Sequence, residues 1–121
     1  MPTILIIDDE ESIRFTLESL LEDEGYIILK AESATVALQT IKDNKVDLAI
    51  VDLHIPDMNG EELVKKIYTT NNNIKFIMHT GQNDYRLNDY LKSIGMDSEN
   101  VLFKPILDLE VLISKLKNIL D

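Results

Sequence analysis

The 121-residue sequence predicts an α/β domain in which a five-stranded parallel sheet carries helices on both faces, and three observations lead there. Short, nearly continuous apolar runs recur along the chain, as strands buried on both faces require. Amphipathic stretches with helical periodicity separate them. The connections are short, which favours right-handed βαβ crossovers and the strand order 2-1-3-4-5.

Thr3 to Ile7 is a β-branched and Leu run that stops at Asp8 and Asp9. Ile13, Leu17, Leu20 and Leu21 then recur at helical spacing, and Gly25 ends that helix. Tyr26 to Leu29 reads as the second strand. Ser33 is placed to cap a helix whose Ala34, Ala37, Leu38 and Ile41 form one apolar stripe. Val46 to Val51 is the third strand and delivers Asp52 to a loop punctuated by Pro56 and Gly60. Glu61 to Thr69 is a helix with Leu63, Val64 and Ile67 inward, followed by a polar break at Asn71, Asn72 and Asn73. Phe76, Ile77 and Met78 lead through His79 to Thr80 and Gly81. A weaker helix is expected from Asp84 to Ile94, with Leu87, Leu91 and Ile94 on one face and Tyr85, Arg86 and Tyr90 off it. Val101 to Phe103 is a short fifth strand before Lys104-Pro105, and Asp108 can cap a last helix bearing Leu109, Leu112, Leu116 and Ile119.

This length suits one domain spanning 1–121, with no linker, repeat or low-complexity tract inside it. A net charge of −10 argues against direct nucleic-acid binding and against anionic membrane surfaces, both of which need clustered Lys and Arg. The absence of cysteine removes disulfides and thiolate chemistry. The start M-P-T-I-L-I-I-D-D has no basic flank and too short an apolar run for a signal peptide or a span, so a cytoplasmic location is expected.

In an open parallel sheet, ligands bind beyond the carboxyl ends of the strands, at the point where the strand order reverses. Asp8 and Asp9 end the first strand there, Asp52 the third, Thr80 the fourth and Lys104 the fifth. Each alone suits a turn, a cap or a solvated surface. Together they bring carboxylates, a hydroxyl and a lysine to one edge. Neighbouring carboxylates repel and recruit positive charge, and a few hard oxygen ligands with retained water describe a Mg2+ site better than a Ca2+ cage. A carboxylate beside a divalent cation, a lysine and a hydroxyl has the parts that phosphoryl transfer uses.

Four motifs, I-L-I-I-D-D-E, V-D-L-A-I-V-D-L-H-I-P-D-M-N-G, H-T-G and F-K-P, resemble those of the receiver domain of two-component response regulators, in the CheY-like superfamily, over essentially the whole chain. The resemblance implies the flavodoxin-like (βα)5 fold and a phosphorylation-dependent signalling switch, not a turnover enzyme. It implies that Asp52 accepts a phosphoryl group from a phosphohistidine of a sensor kinase or phosphotransfer protein. It further implies Mg2+ held by Asp9, Asp52 and the backbone carbonyl of His54, with Asp8 acting through water, and phosphoryl oxygens bound by Thr80 and Lys104. Lys104-Pro105 would be cis, and His54 and Gln82 would influence how long the phosphoryl group survives. The fourth helix, fifth strand and fifth helix, where Tyr85, Arg86, Tyr90 and Lys92 would offer contacts, would address an effector or output domain, as a monomer or a phosphorylation-dependent dimer.

Val101 stands where many members of that family carry an aromatic switch residue, and Gly95 to Lys104 is about two residues longer than the commoner spacing. Three other functions share parts of the pattern. A flavodoxin-like FMN binder wants Ser, Thr and Gly donors after the first strand, where this chain has Asp8, Asp9, Glu10 and Glu11. An aspartyl phosphatase of the haloacid dehalogenase type begins with D-x-D, whereas here the acidic pair is adjacent. A receiver-like interaction module that is never phosphorylated has no need of the five site residues. The chain is either a stand-alone receiver or the receiver portion of a longer one.

Overall fold

The computed structural model describes residues 1–121 throughout. Its sheet is built around β1 (Thr3–Ile7), which pairs in parallel with β2 (Ile27–Ala31) on one side and β3 (Leu48–Asp52) on the other. A short hairpin, β4 (His54–Ile55) and β5 (Met58–Asn59), follows β3. The sheet then continues with β6 (Lys75–Thr80) and ends at β7 (Val101–Phe103), in the order β2-β1-β3-β6-β7. Setting the hairpin aside, this is the expected 2-1-3-4-5 arrangement.

Alternation along the strands divides the interior into two layers. Leu5, Ile7, Ala49, Val51, Phe76 and Met78 face α2 (Ala34–Asp43), α3 (Gly60–Thr70) and α4 (Asp89–Ser93). Ile4, Ile6, Leu48, Ile50, Ile77 and Leu102 face α1 (Glu11–Asp23) and α5 (Leu109–Leu120), meeting Leu17, Leu21, Leu112 and Leu116. Each buried Val, Leu, Ile, Phe or Met side chain among them contributes roughly 1.5–3 kcal/mol by leaving water, so the strand runs must be apolar at every position. No helix is long and apolar enough to cross a membrane.

Local chemistry sets the element ends. Ser33 caps α2 as expected, accepting the Val36 N–H at 3.2 Å, and Asp108 caps α5 by accepting the Glu110 N–H at 2.9 Å. Gly25 takes φ +94° after α1, the left-handed conformation that closes a helix without a Cβ penalty. β2 runs to Ala31, two residues past the expected end, because its ladder with β1 continues to the Ile7–Ala31 pair.

The largest departure is the helix expected over Asp84–Ile94, which forms only at Asp89–Ser93. The Asn88 side chain accepts the Leu91 N–H at 2.8 Å and starts the helix there. Upstream, the Tyr85 N–H turns back to the Gln82 carbonyl at 3.0 Å, which spends the residues before Asn88 on a turn. Tyr85, expected off the apolar face, is buried in the core. The longer stretch before β7 contains a 3-10 turn, Ser98–Asn100, anchored where Asn100 Nδ2 donates to the Phe76 carbonyl at 2.7 Å.

Candidate functional site

Strand register creates the site. Ile7 pairs with Val51, so Asp8 and Asp52 leave the sheet side by side; Thr80 pairs with Phe103, so Lys104 emerges beside it. Asp8, Asp52 and Thr80 are buried, while Asp9 is exposed. The Lys104 N–H donates to the Thr80 carbonyl at 2.8 Å, and the Lys104-Pro105 peptide is cis. Asp9, Glu10, Asp52, His54, Thr80, Gln82 and Lys104 border an open cleft of about 570 Å³.

The Lys104 ammonium reaches over the acidic group. Its Nζ lies 2.9 Å from Asp8 Oδ2, 3.7 Å from Asp52 Oδ1 and 3.8 Å from Glu10 Oε1. Burial works to lower the lysine's pKa, but the hydrogen bond and charge of Asp8, joined by Asp52 and Glu10, outweigh it and hold the pKa above the ordinary value. For Asp52, burial raises the carboxyl above its usual range and the charge of Asp8 adds to that, against Lys104 and the His54 N–H at 3.3 Å. Thr80 Oγ1 accepts the Gln82 N–H at 3.1 Å and still has its own proton to donate.

Carboxylate oxygens of Asp8, Asp9 and Glu10 lie within 4.8 Å of one another. Asp8 also accepts the Glu10 N–H at 2.9 Å, while Arg14 donates to the Asp8 carbonyl at 2.7 Å. Clustered carboxylates faced by a single ammonium make a hard, oxygen-rich donor set, and that chemistry fits Mg2+. The same negative charge would repel a flavin phosphate.

All the residues singled out in the sequence therefore meet at one edge, with His54 on the hairpin beside Asp52. Its side chain is turned outward, Nε2 lying 3.4 Å from Gln82 Oε1 across the mouth of the cleft. Glu10 was not among them, although the run D-D-E-E carried a signal for it. His79, the residue of β6 paired with Asp52, is a further surprise. It is buried with neither ring nitrogen hydrogen-bonded, and burial, assisted by Lys104, lowers its pKa to about 4.

Residues 4–117 match the response regulator receiver domain model. This chain belongs to the receiver family. The receiver is 34% identical over 108 residues to the response regulator GtcR of Aneurinibacillus migulanus, covering 89% of this chain and 43% of that protein. It is 32% identical over 92 residues to sporulation initiation phosphotransferase F of Bacillus subtilis, covering 76% and 74%. Among solved structures, it superposes on the response regulator TrrA of Thermotoga maritima in complex with Mg2+-BeF with a TM-score of 0.85, 30% identity and 98% coverage of both chains. A CheY-like receiver protein from Methanospirillum hungatei gives 0.84, 31% identity and coverage of 98% and 92%.

The receiver is thus a signalling switch of two-component phosphorelays, a family that generally binds Mg2+ and works with kinase and effector partners. It spans 43% and 16% of the length of two curated relatives, GtcR and the CAI-1 autoinducer sensor kinase/phosphatase CqsS of Vibrio cholerae.

Proposed function

We propose that residues 1–121 act as one receiver unit whose Asp52 takes a phosphoryl group from a phosphohistidine of a sensor kinase or phosphotransfer protein. The reading rests above all on Lys104, whose ammonium spans Asp8 and Asp52 at the ends of adjacent strands. In its ionised form an Asp52 carboxylate oxygen attacks phosphorus in line. The P–O bond forms as the P–N bond breaks, and the imidazole leaves with the electron pair. The product is an acyl phosphate with about −1.5 to −2 charge and new acceptor oxygens.

Lys104, already beside Asp8, Asp52 and Glu10, then binds a phosphoryl oxygen, and the Thr80 hydroxyl donates its proton to another. Asp9, Asp52 and the His54 backbone carbonyl would hold Mg2+, with Asp8 acting through water. When bound, that cation supplies neutralisation of the charge on the transferring group. Hydrolysis of the acyl phosphate by water resets Asp52.

The response leaves through the segment after Thr80 toward α4, β7 and α5, where Arg86, Tyr90 and Lys92 offer contacts to an effector or output domain; Tyr85, being buried, does not. Incubation with Mg2+ and a small phosphodonor is expected to label the wild type stoichiometrically and to leave Asp52→Asn unlabelled. Equal labelling of both removes Asp52 from the role.

A further inference from the structure

Two loops border the cleft. The first carries Asp52 through the β4–β5 hairpin to Gly60, whose N–H donates to the Leu53 carbonyl at 2.9 Å; Asn59 then caps α3 by accepting the Glu61 N–H at 2.7 Å. The second runs from Thr80 through Gly81 and Gln82 to Tyr85. Within it the Gln82 N–H is held by Thr80 Oγ1, and the Gln82 carbonyl is held by the Tyr85 N–H. Thr80, Gln82 and Tyr85 therefore form one hydrogen-bonded unit.

Side chains tie the second loop down in two places, one on the first loop and one on the start of α3. One is the exposed His54–Gln82 contact at 3.4 Å, near the limit of a hydrogen bond. The other is short and sheltered: Tyr85 Oη donates to Glu61 Oε2 at 2.7 Å, with Tyr85 buried in the same apolar core as Leu91 and Met96. A hydroxyl donating to a carboxylate is among the stronger neutral-to-charged hydrogen bonds, and a buried ring has little freedom to swing away.

We infer that Tyr85 and Glu61 are positioning residues that hold Thr80 in its unphosphorylated arrangement and so set how readily Asp52 takes up a phosphoryl group. Neither side chain touches the acceptor. The force passes from Glu61 through the Tyr85 hydroxyl to the Tyr85 N–H, the Gln82 peptide and the Thr80 hydroxyl. For Thr80 to turn toward a phosphoryl oxygen, the Gln82 N–H must be released or carried along, and the tether opposes both. This inference rests on the assignment of Asp52 as phosphoacceptor.

Tyr85→Phe removes the hydroxyl and keeps the ring. With Mg2+ and a small phosphodonor it is expected to label about ten- to a hundredfold faster than wild type, the range for losing one charge-assisted bond made only in the starting state. Glu61→Ala should match it, while Glu61→Gln, whose amide oxygen still accepts, should label close to the wild-type rate. If the bond only supports the fold, Tyr85→Phe slows labelling or leaves it unchanged whatever happens to Tm, and either labelling result overturns the inference.

Amide exchange at Gln82 and Tyr85, measured without a donor, separates this from the larger reading. If wild type takes no label at all, the phosphoacceptor assignment fails. The tether then stands on faster exchange in Tyr85→Phe and falls on unchanged exchange.

Discussion

The two halves of the site are built to different standards. The half that carries Asp8 and Asp52 rises from β1 and β3, where Ile4 to Ile7 and Leu48 to Asp52 are all buried, and it is backed by long helices. The half that carries Thr80 and Lys104 ends at β7, a three-residue edge strand with Phe103 41% exposed, and it is flanked by a five-residue α4. Beside that edge, Leu87, Met96, Val101 and Phe103 line an open apolar groove of about 490 Å³. Local opening is cheapest where few apolar contacts must be lost. On the proposed reading, the metal-binding and accepting groups sit on the stiffer half, and the groups that would respond to the phosphoryl sit beside the less densely packed edge, although β6 itself is buried from Phe76 to Thr80.

Two glycines, one beside each half, give the sharpest way to break this contrast. A Cβ on buried Gly60 would press on the Asp52 carbonyl oxygen and lie 3.0 Å from Leu53 Cα, both backbone atoms that cannot step aside. Gly60→Ala is expected to cost about 1–3 kcal/mol, as forced overpacking against fixed atoms does, and to displace Asp52. On the other half a Cβ at Gly81 meets nothing nearer than Lys104 Cβ at 3.9 Å, an ordinary contact. Gly81→Ala should stay within about 0.5 kcal/mol of wild type in urea unfolding. Equal losses at the two positions would erase the distinction.

A smaller effect of opposite sign is expected at His79. Its two unpartnered ring nitrogens weaken β6 at the point where it meets Asp52. His79→Leu fills similar space without them, and should raise stability by about 1–2 kcal/mol at pH 7. Acid should widen the gap. With a folded pKa of about 4 against 6.5 for the free side chain, the unfolded chain binds the proton first, so wild-type stability falls as pH drops from 6.5 toward 4. The variant lacks this contribution, and Tm measured at pH 7 and pH 5 reads the difference directly. A gap that closes in acid would mean that His79 is not buried as a neutral ring.

The contrast between the halves also decides what was legible in the sequence. β1 and β3 announce themselves because strands covered on both faces have to be apolar throughout, and the site follows from which polar residue ends each run. On the responsive half the local signals compete. Leu87, Leu91 and Ile94 have helical spacing, yet Asn88 caps a helix that begins only after it, and a stripe says nothing about where a cap will win. Tyr85 turns inward because its hydroxyl can reach Glu61, a partner 24 residues away that no periodicity encodes. The β4–β5 hairpin is too short for alternation to reveal, and the partners of Asp57, 22 and 23 residues earlier in the chain, are likewise set by tertiary structure alone.

Asp57 offers the smallest effect and a test from within the stiff half. From the turn of the hairpin its carboxylate accepts the Ala34 N–H at 2.9 Å, the Thr35 N–H at 3.0 Å and the Thr35 hydroxyl at 2.7 Å, tying the Asp52 loop to the start of α2. The Thr35 hydroxyl, then those two N–H groups, lower its pKa to about 2 from 3.8. A carboxyl depressed in the folded state stabilises above its unfolded pKa, and that stability is lost as pH falls from 3.8 toward 2. The group is solvent-exposed, so screening keeps the effect modest. Asp57→Ala is expected to lower Tm by a few degrees at neutral pH, with the difference shrinking as the solution is acidified through that window. Asp57→Asn, which keeps an acceptor oxygen for the helix N-terminus, should recover part of the loss. Because the hairpin is also pinned by the Gly60 N–H on the Leu53 carbonyl, phosphodonor labelling of Asp52 should be little changed in either variant. Slowed labelling with an unchanged Tm would instead place Asp57 among the groups that tune the acceptor, and the accepting half would not be stiff.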